Sequence, residues 1–222
     1  MTTHAHPAGL NHQFDDLQQQ YAASNMGMWA FIAQEIMFFG GLFGAYAVYR
    51  YEYLPAFIEG SNHLPIGWGA FNTAVLIGSS FTVAMCVRAA QQGSNRGMLG
   101  WLLGTMVLGL TFLGVKVIEY SDKFHHHLIP GLNFQYDGPL AGNMKIFFSF
   151  YFAMTGMHAL HMIIGVGIML WLIPNILKGR YTKDYFFPIE NFGLYWHFVD
   201  IVWIFLFPLL YLIGRDPWIQ VM

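Results

Sequence analysis

Residues 146–174 read IFFSFYFAMTGMHALHMIIGVGIMLWLIP, a run without a single Asp, Glu, Lys or Arg. A helix rises about 1.5 Å per residue and a bilayer's hydrocarbon core is about 30 Å thick, so about 20 apolar residues span it. This run passes easily. Working outward from it, four more stretches pass the same test: 26–49, 68–90, 98–120 and 192–213. The pattern predicts an all-α fold, an integral membrane bundle of five transmembrane helices. A polar segment over 1–25 precedes one five-helix domain over 26–222, with no soluble module.

Composition agrees. Hydrophobic residues make up 56% and charged residues 10% of the chain, against about 25% charged in soluble domains. A net charge of −2 excludes an electrostatic nucleic-acid binder. The one cysteine, Cys86 within the second stretch, excludes a disulfide framework and any cysteine-based metal cluster. No cleavable signal peptide is expected, because the first 25 residues hold neither Lys nor Arg and no apolar core. Phe14, Leu17 and Tyr21 recur at helical spacing, as a short amphipathic helix on the membrane surface would require. His4 and His6 form an HxH pair there, read as part of a solvated tail.

Four connections join the spans: 50–67, 91–97, 121–145 and 175–191. Arg96, Lys178, Arg180 and Lys183 lie on the second and fourth, with Arg88 just before the second. The first and third carry Arg50, Lys123 and Lys145 together with Glu52, Glu59, Asp122 and Asp137. The positive-inside rule then puts the N-terminus in the cytoplasm and the C-terminus outside. The run His125-His126-His127 lies on the longest connection. Three consecutive histidines on a helix point in different directions, so an exposed interfacial loop is expected rather than a metal site.

The informative residues are those that do not belong in oil. Glu35, Lys116, Glu119, His158, His161, His197 and Asp200 lie within the spans or near their ends. Each costs at least ~2.5 kcal/mol on insertion scales and needs a partner, a neutral form or a function. Glu35 sits about ten residues into its span, either as neutral interhelical glue or as a proton-handling carboxyl. Behind it, Gly40, Gly41 and Gly44 give a GxxxG spacing that lets a neighbouring helix approach. Lys116 and Glu119 stand three apart, so a salt bridge on one helix face is expected. His158 with His161, and His197 with Asp200, repeat that spacing, so each pair faces another helix. Two explanations compete for the histidines. One is a metal or haem site built from facing helices. The other is a hydrogen-bond network in which Asp200 and Glu119 accept from imidazoles across helices, with Asp200 a same-face partner for His197. No HExxH or ExxH ligand motif is present, and spacing alone does not decide between them.

Three runs together resemble subunit III of the haem–copper oxidases, closest to the short five-span bacterial form of cytochrome c oxidase subunit III. They are FIAQEIMFFGG (31–41), TGMHALHMIIG (155–165) and YWHFVDIVWIF (195–205), with Asn72-Thr73 and Glu119-Tyr120 also fitting. By that resemblance Glu35 matches an intramembrane carboxyl on the helix that contacts the catalytic subunit. Glu119, His158, His161, Glu190, His197 and Asp200 match the buried polar set. The resemblance implies no catalytic centre, cofactor or metal in this chain, which makes the histidines structural. Haem and copper are expected in the partner subunits, subunit I by direct packing and subunit II beyond it. Bound phospholipid and support of proton uptake are implied as well.

The full-length family has seven spans with lipids in a cleft beside the first pair, and this sequence starts at the third. Five-span forms point to a bacterial inner membrane. The implied function is a non-catalytic subunit of a respiratory cytochrome c oxidase, reducing O2 to water while pumping protons. The alternatives are subunit III of a quinol oxidase and the related accessory protein of nitric-oxide reductase. From a different class comes a stand-alone haem or metal membrane protein using His158, His161 and His197. A transporter ranks last, because no inverted repeat or paired broken helices are visible.

Overall fold

A computed structural model describes residues 9–131, 134–136 and 138–215. His4, His6 and Asp137 lie outside the described residues. The five predicted spans are the cores of five long helices: α1 (Leu17–Glu52), α3 (Ile66–Gln91), α4 (Asn95–His125), α5 (Ala141–Leu177) and α6 (Phe187–Tyr211). Two short elements complete the described fold, α2 (Leu54–Asn62) and a 3-10 turn at Ile213–Arg215. α2 occupies the first connection, where the sequence reading had no helix. Pro55 in its first turn suits a helix start, since the missing N–H is one that would go unpaired there.

Leu17 and Tyr21, expected on a separate surface helix, belong instead to the first turns of α1. No proline interrupts the chain between Leu17 and Glu52, so propagation is cheaper than a break. Asp16 caps the start, its carboxylate accepting from the Gln19 N–H at 2.7 Å.

Three helix ends share one device. After α3, the Ser94 N–H bonds to Ala89 O and the Gly93 N–H to Ala90 O, with Gly93 at φ 71°. α5 ends the same way through Arg180, Asn175, Gly179 and Ile176, with Gly179 at φ 66°. These paired bonds satisfy carbonyls that would otherwise go unpaired, and the left-handed residue turns the chain. α4 ends with the same bonds but places His127 at φ 53°. The histidine run is therefore a helix terminus, with its three side chains splayed in solvent as expected for an exposed loop.

α6 lies at the centre, in contact with α1, α3 and α5, while α4 bridges α3 and α5. Trp196 fixes this arrangement. Its indole lies where a Cβ on Gly109 of α4 or on Gly165 of α5 would be, at 2.9 and 2.6 Å, and its N–H bonds to Ser79 Oγ of α3 at 3.0 Å. Glycine is required at both places because the backbones flank a large flat ring. At Gly40, Gly41 and Gly44 nothing described lies within 4 Å of where a Cβ would be. That face of α1 points away from the bundle, so no helix among the described residues uses the close approach that the spacing allows.

The outer surface is apolar: Met37, Val48, Phe81, Val117, Leu170 and Trp171 are all exposed. The interior holds the charge. This inversion suits a solvent of hydrocarbon, where apolar burial drives nothing and polar groups must pair inside.

Candidate functional site: the intramembrane polar groups

The largest polar cluster joins α4, α5 and α6. Lys116 Nζ lies 2.9 Å from Glu119 Oε2, with side chains 3% and 1% exposed. Tyr151 of α5 donates to Glu119 Oε1 at 2.7 Å, and Tyr211 of α6 also donates to that oxygen. Lys116 donates to the Tyr211 hydroxyl at 2.7 Å and stands 4.6 Å from the Trp203 ring centroid. Each charge thus has an opposite charge and further hydrogen bonds, and the ammonium also has an aromatic face, which such burial demands. The predicted i,i+3 salt bridge is present, and two tyrosines complete it.

Glu35 is buried on α1 against α5, its Oε2 3.2 Å from His161 Nε2. His161 Nδ1 lies 2.9 Å from Met157 O, a carbonyl, so that nitrogen carries hydrogen and donates. The pair is then electrically neutral when one further proton sits on Nε2 or on the Glu35 carboxyl. Tyr195 ties α6 to the same spot by donating to His161 O at 2.7 Å.

Three expected contacts are not made. Glu119 does not meet an imidazole. His158 stands against Phe112, with ring centroids 5.2 Å apart, and Phe112 is seven residues or about 10 Å deeper on α4 than Glu119. Instead the His158 Nε2–H donates to Val199 O at 3.2 Å. Asp200 does not meet an imidazole across helices, because α5 packs against the Val199 side of α6 while Asp200 lines a groove against α3. Nor is Asp200 the partner of His197, whose Nδ1 lies 2.7 Å from Ser80 Oγ on α3. Asp200 instead lies beside the hydroxyls of Ser79 and Ser80 on α3.

Glu190 stands in the first turn of α6, where the helix dipole favours a negative charge. The Tyr21 hydroxyl of α1 approaches it. The sequence reading missed Ser80, Tyr151, Trp203 and Tyr211. A tyrosine in an apolar span signals a needed partner, but with 12 tyrosines in the chain that signal selects none. Among the described residues, no three His, Cys, Asp or Glu side chains converge as a metal cage would need.

Fold and polar groups together define a multi-pass helical membrane protein in which ionisable side chains link neighbouring helices. The family profile of cytochrome c oxidase subunit III matches residues 17–215. The chain belongs to that family. It is 32% identical to cytochrome c oxidase subunit 3 of Corynebacterium diphtheriae, covering 85% of this chain and 87% of that one. It is 34% identical to the protein of that name from Synechocystis, covering 84% and 74%. It is also 30% identical to cytochrome bo(3) ubiquinol oxidase subunit 3 of Pseudomonas aeruginosa, covering 95% of this chain and 93% of that one.

Proposed function

We propose that this chain is the non-catalytic subunit III of a respiratory cytochrome c oxidase, the complex that reduces O2 to water while pumping protons. The observation that carries the reading is the family match over almost the whole helical bundle. The chain sits in a bacterial inner membrane with its N-terminus in the cytoplasm, packed directly on subunit I, with subunit II and further small membrane subunits in the same complex. Haem and copper belong to those partners, and this chain carries no cofactor beyond bound phospholipid.

The work of the chain is mechanical and electrostatic. A stiff bundle locked by Lys116–Glu119 and Trp196 presents α1 as a fixed wall. The glycine-rich surface of α1 forms that wall, and Glu35, buried behind it against His161 of α5, supports the interface and proton uptake. Glu119, His158, Glu190, His197 and Asp200 serve the bundle and its contacts. One further reading has specific support: the ubiquinol oxidase relative covers nearly all of this chain. The electron donor is then a quinol, and a copper-binding subunit II beside this chain separates the two.

One preparation tests the proposal. The chain is purified with its partners from detergent-solubilised membranes, as wild type, Glu35→Gln and Glu35→Ala. Haem-bearing subunits co-purify in all three, while the variants lose activity faster than wild type over prolonged turnover. Absence of haem-bearing partners overturns the subunit reading, and so does a stoichiometric haem band in the isolated chain. Undiminished long-term turnover in both variants removes the role given to Glu35.

A further inference from the structure

Asn72 and Thr73 stand side by side near the start of α3, and only Thr73 has partners. Its hydroxyl donates to Gly69 O at 2.9 Å and accepts the Trp203 indole N–H at 3.1 Å. Asn72 is 0% exposed, yet neither Oδ1 nor Nδ2 of its amide has a hydrogen-bond partner among the described residues. Folded interiors leave few such groups, because a buried amide gives up its bonds to water and needs others in return. In a membrane the demand is stricter, since hydrocarbon supplies neither donor nor acceptor.

The surroundings of Asn72 follow from the packing of α3 on its neighbours. Thr82 of α3 meets Thr105 of α4, with the two hydroxyl oxygens 2.8 Å apart. These helices are antiparallel, so ten residues outward from that pair Asn72 stands level with Val115, the neighbour of Lys116. Towards α6, Thr73 holds the Trp203 indole, and a Cβ on Gly69 would lie 3.1 Å from the Tyr211 ring. Lys116 lies over both of those rings. Asn72 therefore borders the ion pair of Lys116 and Glu119 from the α3 side.

That cluster is itself incomplete. An ammonium has three N–H groups. Two of those on Lys116 bond to Glu119 and Tyr211, and the third has no such bond among the described residues. His158 adds an acceptor on the same indole: its ring centroid is 5.2 Å from that of Trp203, and its Nδ1 has no partner. Donors and acceptors are thus both left over around one ring.

Chemistry narrows the occupant. Lipid does not reach a side chain with no exposed surface. A metal cation is repelled by the ammonium, and the described residues hold no cage for one. An anion matches the ammonium but gives nothing to Asn72 Oδ1. Water both donates and accepts, and buried water characteristically makes about three hydrogen bonds to groups that would otherwise lack them.

We propose that ordered water is bound inside the bundle beside Trp203, held between the Asn72 amide and the remaining N–H of Lys116. It joins α3 to the ion pair that already links α4, α5 and α6, so all four helices share one polar network.

The test is a density map, fine enough to show water, of the protein purified with its partners. A solvent peak stands about 2.7–3.2 Å from an amide atom of Asn72 and from Lys116 Nζ. In Asn72→Leu that peak is lost while Lys116 still meets Glu119. Absence of a peak reaching both groups in the wild type overturns the proposal, and so does an Asn72 amide turned to meet Lys116 directly. A peak that vanishes when chloride is left out of the buffer marks an anion and overturns it too, as does a peak unchanged by Asn72→Leu. If Asn72→Leu does not accumulate, the wild-type maps with and without chloride decide.

Discussion

Lys116 shows how a full charge is tolerated at the core of a membrane protein. Its ammonium has the Glu119 carboxylate at 2.9 Å and the Tyr211 hydroxyl at 2.7 Å, with the Trp203 face behind it. Removing one partner of such a pair leaves the other charged and stranded, at a cost of about 3–5 kcal/mol in buried sites. Lys116→Met therefore lowers the thermal unfolding midpoint of the detergent-purified protein. Adding Glu119→Gln recovers a large part of the loss, because no uncompensated charge remains. If the double variant is as unstable as the sum of both single variants, the pair is not coupled. The sequence showed this pair through its i,i+3 spacing, but not Tyr151 and Tyr211, which are remote along the chain and meet it only when α5 and α6 pack.

At the scale of elements, length and hydropathy delimit the helices, while small residues decide how closely they pack. Gly40, Gly41 and Gly44 carry the familiar spacing yet face outward, whereas Gly109 and Gly165, in no such motif together, flank the Trp196 indole. Glycine spacing alone cannot tell an internal contact from an outward face, because both are equally apolar in a membrane helix. Gly165→Val would place side-chain atoms inside the Trp196 ring, since even a Cβ there lies 2.6 Å from it. Overpacking of this kind costs about 1–3 kcal/mol, so Gly165→Val shifts the protein toward aggregates in size-exclusion chromatography. Gly41→Ala leaves the isolated chain's elution unchanged. Equal behaviour of the two variants would contradict the packing described. Likewise α2 was missed because its nine residues are too few for a periodic signal and lie on a connection.

For the whole molecule, charge and connectivity set orientation. Arg88, Arg96, Lys178, Arg180 and Lys183 all fall at or beside the α3–α4 and α5–α6 turns, at one end of the bundle. The positive-inside rule is the ground for the proposal that this end is cytoplasmic. Alkaline phosphatase fused after Met222 is then active, while a fusion within the α3–α4 turn at Gly93 is inactive. The reverse pattern overturns the orientation.

By itself the sequence determined five helices, a bundle inverted in polarity and the family, because a bilayer demands length and apolarity that no soluble fold needs. It also located Glu35, Lys116, Glu119, His158, His161 and Asp200 as groups to be satisfied, while buried Lys123 and the tyrosines escaped it. Which group satisfies which was decided by tertiary structure alone: Glu35 met His161, His158 met a backbone carbonyl and Asp200 came to lie beside Ser79 and Ser80 of α3. Spacing along a helix gives the face a residue occupies, whereas pairing depends on how far neighbouring helices slide and rotate past one another.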